Sequence, residues 1–340
     1  MNSAAKIDNR FDLLRFAFAG LVMVYHAIAL SGLAAGSRVE LALSYFAEMS
    51  IQGFFILSGA LVAGSLERSG SLVEYAMKRV RRLYPAYVVV ILIPAAIALS
   101  FSGSFADVAR YVGANLIFLN FLEPNLPGLF EDNRFMAVNG ALWTLKIEVM
   151  FYACLPVLIW TMRRFGRWWP MFLIGLYVGG EAWRICTPIL VDGAMGSAIA
   201  RQLPGQMAYF ACGIGMWKLW QGMPRLSFGV MICGIVATGV TLWFPALSVL
   251  RPLAWACAIA GVAFLPGWKP AISRFGDVSY GLYITHFPII QTMVAAGVFG
   301  VLGLWGGVIV AAVLVLVASF VLWHMVEKRA LRPTSYYRLS

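Results

Sequence analysis

Charge is scarce in this sequence. Asp, Glu, Lys and Arg make up 12% of its 340 residues against 61% apolar ones, and the mean hydropathy is +0.81. That balance excludes both a soluble globular domain and a disordered chain. The five cysteines, Cys154, Cys186, Cys212, Cys233 and Cys257, all fall in apolar stretches. None forms a CxxC pair or stands near a histidine at metal-ligand spacing, so they are read as packing residues, with no disulfide and no metal site. No phosphate-binding Gly-rich loop, GxSxG, HExxH or dinucleotide fingerprint occurs, which removes the common soluble catalytic motifs. The alternation of a membrane β-barrel is missing too, because stretches such as 91–99 and 308–321 are continuously apolar. Internal repeats and low-complexity tracts are also absent, which weakens an inverted-repeat transporter.

What is present is a series of apolar segments. Hydropathy predicts helices near 11–31, 44–66, 83–102, 106–122, 140–162, 168–188, 202–220, 226–246, 250–267, 278–298 and 303–326. The first segment has no small-residue cleavage site and reads as a retained helix. Most of the 26 lysines and arginines fall in clusters at Lys6/Arg10, Arg68/Lys78/Arg79/Arg81/Arg82, Arg163/Arg164/Arg167, Lys218/Arg225, Lys269/Arg274 and Lys328/Arg329/Arg332/Arg338. The positive-inside rule places all of these in the cytoplasm. The 67–82 and 163–167 loops then need an even number of crossings between them, whereas three candidates intervene. The 106–122 stretch, with Asp107, Arg110, Asn115 and Asn120, is the most polar of the three and is expected to be re-entrant or interfacial. The expected fold is therefore an all-α integral membrane protein of about ten transmembrane helices, with both termini cytoplasmic. It forms a single domain over 1–340 with a short tail at 327–340. The net charge of +11 sits in short loops, so it points to anionic headgroups or an anionic cytosolic ligand and away from nucleic acid.

Ionisable groups within the bilayer cost about 2.5–3.5 kcal/mol each on insertion scales, which makes each one a functional candidate. Arg15 and His26 are eleven residues apart on the first helix, so they share a face to within about 20° and lie about 16 Å apart along it. That face suits an anionic donor below and a proton-transfer group above, although a snorkelling arginine and a hydrogen-bonded histidine fit the same spacing. Glu148 lies at a depth similar to that of His26. His26 is its economical partner, a workable general-base pair, and a structural Glu paired with any Arg is the alternative. Arg79 and Arg82 read either as a topology anchor or as a cradle for phosphates. Ser279, Tyr283 and His286 fall on one face before Pro288, which also suits a structural hydrogen-bonded cluster. Local pairs are expected between His324 and Glu327, Asp12 and Arg15, and Glu181 and Arg184. Gly53 and Gly59 permit close helix approach.

In their order these elements resemble the membrane acyltransferase-3 family. The matching residues are Arg10-Phe11-Asp12-x-x-Arg15 followed by His26, Gly53-Phe54-Phe55-x-x-Ser58-Gly59, Arg79-x-x-Arg82-Leu83-x-Pro85, Trp143-Thr144-Leu145-x-x-Glu148-x-x-Phe151-Tyr152, Ser279-Tyr280-x-x-Tyr283-x-x-His286-x-Pro288, and Glu327-Lys328. Thr144 stands where many relatives carry serine, which keeps the hydroxyl. The resemblance implies a ten-helix, multi-pass enzyme of the bacterial cytoplasmic membrane. Such an enzyme moves an acyl group, usually acetyl, from cytosolic acyl-CoA to a hydroxyl of a surface polysaccharide, lipopolysaccharide or lipid-linked sugar. Carried over residue by residue, it gives Arg15, Arg79 and Arg82 the donor's phosphates and makes His26 and Glu148 catalytic, with direct transfer and an acyl-histidine both open. It leaves Ser58, Trp143, Tyr152, Tyr283 and His286 as substrate-binding or supporting groups. The implied cofactor is acetyl-CoA without a metal, and the implied partners are a glycan or lipid-linked acceptor and membrane lipid, with no nucleic acid. The chain is expected to be a stand-alone form. A transporter or flippase using the same buried Arg, His and Glu is the rival reading.

Overall fold

A computed structural model describes residues 10–102, 104–219, 223–267 and 277–331. Lys6, Lys269, Arg274, Arg332 and Arg338 lie outside the described residues, as does the side chain of Arg225. The structure is all-helical, as the composition requires, with no strand among the described residues. Six segments are long and apolar enough to cross a membrane: Phe11–Ser31, Arg38–Glu67, Leu72–Phe101, Gly140–Arg164, Pro245–Phe264 and Val298–Ala330.

The helices are α1 (Phe11–Ser31), α2 (Arg38–Glu67), α3 (Leu72–Ser102), α4 (Phe105–Leu116), α5 (Trp143–Arg164), α6 (Trp169–Leu190), α7 (Gly193–Ala200), α8 (Leu203–Leu219), α9 (Met223–Trp243), α10 (Arg251–Phe264), α11 (Val278–Ala295) and α12 (Val298–Leu322). A π-helical turn, Trp323–Glu327, and the short α13 (Lys328–Ala330) follow. Local sequence explains several ends. Gly32, at φ 70°, stops α1 in the left-handed conformation that glycine adopts without strain. Ser37 accepts from Glu40 N at 3.1 Å to start α2. The Arg10 guanidinium donates to the carbonyls of Val262, Leu265 and Pro266 at the end of α10, so it caps a helix rather than merely anchoring a loop.

The expectation that 67–82 forms a loop is corrected. Ser71 accepts from Glu74 N and Glu74 accepts from Gly70 N, and this cap starts α3 at Leu72. Arg79 and Arg82 are thus helical and buried, 5% and 4% exposed. In the segment 106–122, expected as re-entrant or interfacial, the helix is shorter than the apolar stretch. Helix α4 has 12 residues, about 18 Å long, and the chain then turns at Phe118 with φ 62°. Helix α7 was not expected, because eight residues that include Gly193 and Gly196 give no hydropathy signal of their own.

Helix α11 stands at the centre. Every residue from Val278 to Phe287 is buried, and α1, α12 and α3 pack against it. Arg15 of α1 meets Asp277 at the start of α11, and His26 meets His286 further along, so the two helices run in the same direction. Helix α2 packs on α8 at very short range. A Cβ on Gly213 would lie 2.1 Å from the Ile56 carbonyl oxygen, and one on Gly59 would lie 2.4 Å from that of Phe210. Small residues at both positions let the backbones touch.

Side-chain amides tie the irregular stretch between α4 and α5 into the bundle. Gln291 Nε2 of α11 donates to the Phe135 carbonyl at 2.5 Å and the Ala137 carbonyl at 2.8 Å, and its oxygen accepts from Asn133 at 2.9 Å. Asn139 donates to the Ile284 carbonyl at 2.8 Å, and Arg134 donates to that of Ala29. Non-helical backbone is tolerated within a bundle when such groups are satisfied. Gln291→Leu strips both carbonyls of their donor at a site that is 0% exposed. It should cost about 1–3 kcal/mol per unsatisfied group. The expected readouts are a lower unfolding temperature and faster protease cleavage between Asn133 and Asn139; unchanged values in both would contradict the assignment.

Candidate active site

The polar groups of α1, α2, α3, α5 and α11 converge on two cavities. The first offers about 690 Å³ of empty space, counted out into the solvent at its mouth, and is lined by Arg15, Ser58, Arg82, Thr144, Glu148, Tyr152, Ser279, Tyr280 and Tyr283 among apolar side chains. The second holds about 1240 Å³ of empty space and is lined by Tyr25, His26, Tyr45, Glu48, Gln52, Trp143, Arg201, Gln206 and Tyr283. Tyr283 belongs to both walls. Its hydroxyl lies 2.6 Å from Thr144 Oγ1 and donates to the Ala141 carbonyl at 3.2 Å, so α5 and α11 are latched where the cavities adjoin.

At the base of the first cavity one carboxylate oxygen serves two cations. Asp277 Oδ2 accepts from Arg15 Nη1 at 2.7 Å and from Arg82 Nη2 at 2.6 Å, while Oδ1 accepts from Ser279 Oγ at 2.7 Å. Burial alone would raise the Asp277 carboxyl, but the two guanidiniums outweigh it and hold the group below the usual carboxylate range. Its ion pairs therefore persist as pH falls through the ordinary Asp range and are lost only in stronger acid. Arg82 Nη1 also donates to Glu327 Oε2 at 2.9 Å, and its guanidinium lies 5.5 Å from the centre of the Tyr280 ring. Two expected local pairs give way to this network. Arg15 pairs with Asp277 rather than Asp12, and Glu327 pairs with Arg82 rather than His324, whose Nδ1 meets the Phe320 carbonyl. The Glu181–Arg184 pair is made as expected, at 2.5 Å.

Arg79 is placed differently from its expected companions. It donates to Ser65 Oγ at 3.1 Å, stacks over Tyr152 at 5.8 Å, and lines a neighbouring groove with Tyr75 and Tyr152. Glu148 Oε1 accepts from Ser58 Oγ at 2.9 Å and from the Tyr152 hydroxyl, so two hydroxyls from α2 and α5 hold one oxygen. Its Oε2 receives no donor among the described residues and is left to the first cavity. The expected pairing of Glu148 with His26 is therefore corrected, since the two line different cavities. His26 instead meets another histidine, with His286 Nε2 lying 3.1 Å from His26 Nδ1. Depth along a helix did not identify the partner: α5 brings Trp143 to the cavity of His26 and Glu148 to that of Arg15, and the ring in contact with His26 comes from α11.

Sequence reasoning found His26, Trp143 and Tyr283 but missed Asp277 and, as site residues of the second cavity, Tyr25, Tyr45, Glu48, Gln52, Arg201 and Gln206. Asp277 directly precedes the Ser279-to-Pro288 motif, and at the start of a helix parallel to α1 it comes level with Arg15. Gln52 Nε2 donates to Glu48 Oε1 at 3.2 Å, while its Oε1, on a residue only 5% exposed, has no donor among the described residues. Among the described residues no group of three or more His, Cys, Asp or Glu side chains is arranged to hold a metal ion.

A family model described as an acyltransferase domain, that of the acyltransferase-3 family, matches residues 8–324. Among curated proteins, a nodulation protein 10 from Rhizobium leguminosarum bv. viciae is 24% identical, with 95% of this chain and 93% of the relative covered. An O-acetyl transferase of Shigella phage Sf6 is 23% identical, with 96% and 97% covered. The acyltransferase MdmB of Streptomyces mycarofaciens is 24% identical over 81% of this chain and 77% of its own. No solved structure gives a significant match. With a match across nearly the whole chain, a helical membrane architecture and these relatives, the protein belongs to the acyltransferase-3 family and is a membrane O-acyltransferase.

Proposed function

We propose that the protein transfers an acyl group, acetyl in the first instance, from cytosolic acyl-CoA to a hydroxyl of a cell-surface or lipid-linked sugar. The observation that carries this reading is the pair of adjoining cavities, one with the guanidiniums of Arg15 and Arg82 at its base and the other walled by His26. The bundle is read as ten crossings of the bacterial cytoplasmic membrane with both termini inside. Among the described residues, nine helices of 17 residues or more support this, with α10 as the tenth once the preceding 3-10 turn extends it to 20 residues (Pro245–Phe264), as do α4 and α7, both too short to span. The parallel course of α1 and α11 fits odd-numbered crossings for both.

In this arrangement Arg15 and Arg82, with Arg79 in the adjacent groove, attract the donor's phosphates at the cytosolic end. The pantetheine arm lies in the first cavity, where Glu148 Oε2 accepts from one of its amide N–H groups, and the thioester reaches His26 past Tyr283. The acceptor occupies the second cavity. Gln52 Oε1, which lacks a donor among the described residues, suits a ligand hydroxyl, and Trp143, Tyr25 and Tyr45 offer aromatic faces to a ring. His26 Nε2 takes the proton of the reacting hydroxyl as its oxygen bonds to the thioester carbonyl carbon. The carbon–sulfur bond then breaks, and the departing thiolate takes that proton back from the imidazolium.

The test is transfer of label from acetyl-CoA to cell-envelope glycan by purified protein in vesicles. Label on glycan supports the assignment, and substrate movement without any turnover of acyl-CoA would overturn it. Glu148→Gln keeps an oxygen for Ser58 and Tyr152 while removing the charge. It should raise the donor KM by about 10- to 100-fold, the worth of one hydrogen bond to a charged group, with a smaller effect on kcat. A loss confined to kcat would place Glu148 at the reacting atoms instead.

A further inference from the structure

The histidine pair between α1 and α11 carries one step more. Each ring lies against the carbonyl one turn back on its own helix, His26 Nδ1 at 2.9 Å from Val22 O and His286 Nδ1 at 3.2 Å from Leu282 O. A carbonyl oxygen only accepts, so both Nδ1 atoms bear protons and neutral rings leave both Nε2 atoms with lone pairs. His286 Nε2 then has one role open to it, to accept from His26 Nδ1–H at 3.1 Å, a proton already shared with Val22 O. His26 Nε2 makes no hydrogen bond among the described residues, and the ring lines the second cavity.

We infer that His286 is the positioning residue for His26. From beneath, it holds the imidazole in the Nδ1–H tautomer with Nε2 open to the acceptor, the part that a carboxylate plays in more familiar dyads. This rests on the proposed function of the site. His286 is 0% exposed, and Tyr283, Phe287 and His26 are its ring neighbours, with centroids 5.8, 6.4 and 4.9 Å away. No water competes for its lone pair in such a setting, and the ring cannot swing away. When His26 takes a proton at Nε2, its Nδ1–H bond to His286 becomes charge-assisted and strengthens as the reaction proceeds. A neutral acceptor suits this position. It steadies the transient cation without keeping His26 protonated in the resting enzyme, as a buried carboxylate would do.

Nitrogen NMR on protein labelled at histidine gives a direct reading, because the chain holds only three histidines and His324→Gln leaves the two of interest. The resting protein is expected to show His26 protonated at Nδ1 and bare at Nε2, with a scalar coupling across the hydrogen bond to His286 Nε2. His286→Phe keeps a ring of similar volume without the acceptor, and it should lower kcat by about 10²-fold, the lower bound for losing a well-placed acid–base group. His286→Gln, which restores an acceptor near the Nε2 position, should recover at least about tenfold of that loss; a purely structural role would rank the two variants in the reverse order. A wild-type His26 protonated at Nε2, or full turnover in His286→Phe, overturns the inference. Because the spectrum is read on resting protein, the two readings fail separately. Wild-type turnover with the wrong tautomer removes only the role of His286, whereas the expected tautomer without any acyl transfer removes the functional reading.

Discussion

His26→Ala is expected to lower acyl transfer by about 10²–10⁴-fold, the range for removing a general base, while the bundle stays folded. His26 is half-buried against an open cavity, so the shortened side chain extends existing space and seals no void in the core. Alanine also favours the helix that carries it. The interactions given up are the Nδ1 contacts with Val22 O and His286, of which the first is the weaker, because that carbonyl already belongs to the helix ladder. The check is label transfer from acetyl-CoA beside a thermal unfolding curve for each protein. Near-normal turnover in a variant that unfolds like the wild type would remove His26 from the reaction. The comparison with Glu148→Gln then separates the cavities. A loss in kcat for His26 and in donor KM for Glu148 is the pattern expected if acceptor chemistry and donor binding occupy different chambers.

How much of this was legible in the sequence depended on distance along the chain. The shared face of Arg15 and His26, and that of Ser279, Tyr283 and His286, were readable because helical periodicity fixes angle within one helix. The structure puts each pair of levels together, Arg15 with the start of α11 and His26 with His286. The close approach of α2 at Gly59 was readable for a similar local reason, since only small residues allow it. What periodicity cannot supply is which helix stands next to which. His26 and His286 are 260 residues apart and Arg15 and Asp277 are 262 apart, so neither pairing leaves a local signal. Height in the membrane alone favoured Glu148 for His26. The start of α3 was misread because the cluster of cations was taken as loop, although Ser71 and Glu74 already have the spacing of a helix cap.

Arg82 carries the largest expected effect on stability. It is 4% exposed and serves Asp277 and Glu327, the latter only 1% exposed. Arg82→Met leaves the buried Glu327 without this cation and Asp277 with Arg15 from the pair it now holds. Breaking a buried ion pair from one side costs about 3–5 kcal/mol, mostly because the remaining charge is uncompensated. A lower unfolding temperature in detergent is the expected result, with part of the loss recovered in Arg82→Met/Glu327→Gln, where no carboxylate remains at that position. An unfolding curve superimposable on wild type would show that the pair contributes nothing. Lost activity in Arg82→Met therefore says little about donor phosphates, and Glu327→Gln is the variant that decides. It keeps an oxygen for Arg82 Nη1 and removes a negative charge from the guanidinium. If Arg82 attracts the donor, acyl-CoA should bind more tightly to Glu327→Gln than to the wild type, and most strongly at low salt, where phosphate attraction is least screened. If Arg82 only braces α3 against α11 and the chain beyond α12, the same change loosens that brace and donor affinity falls.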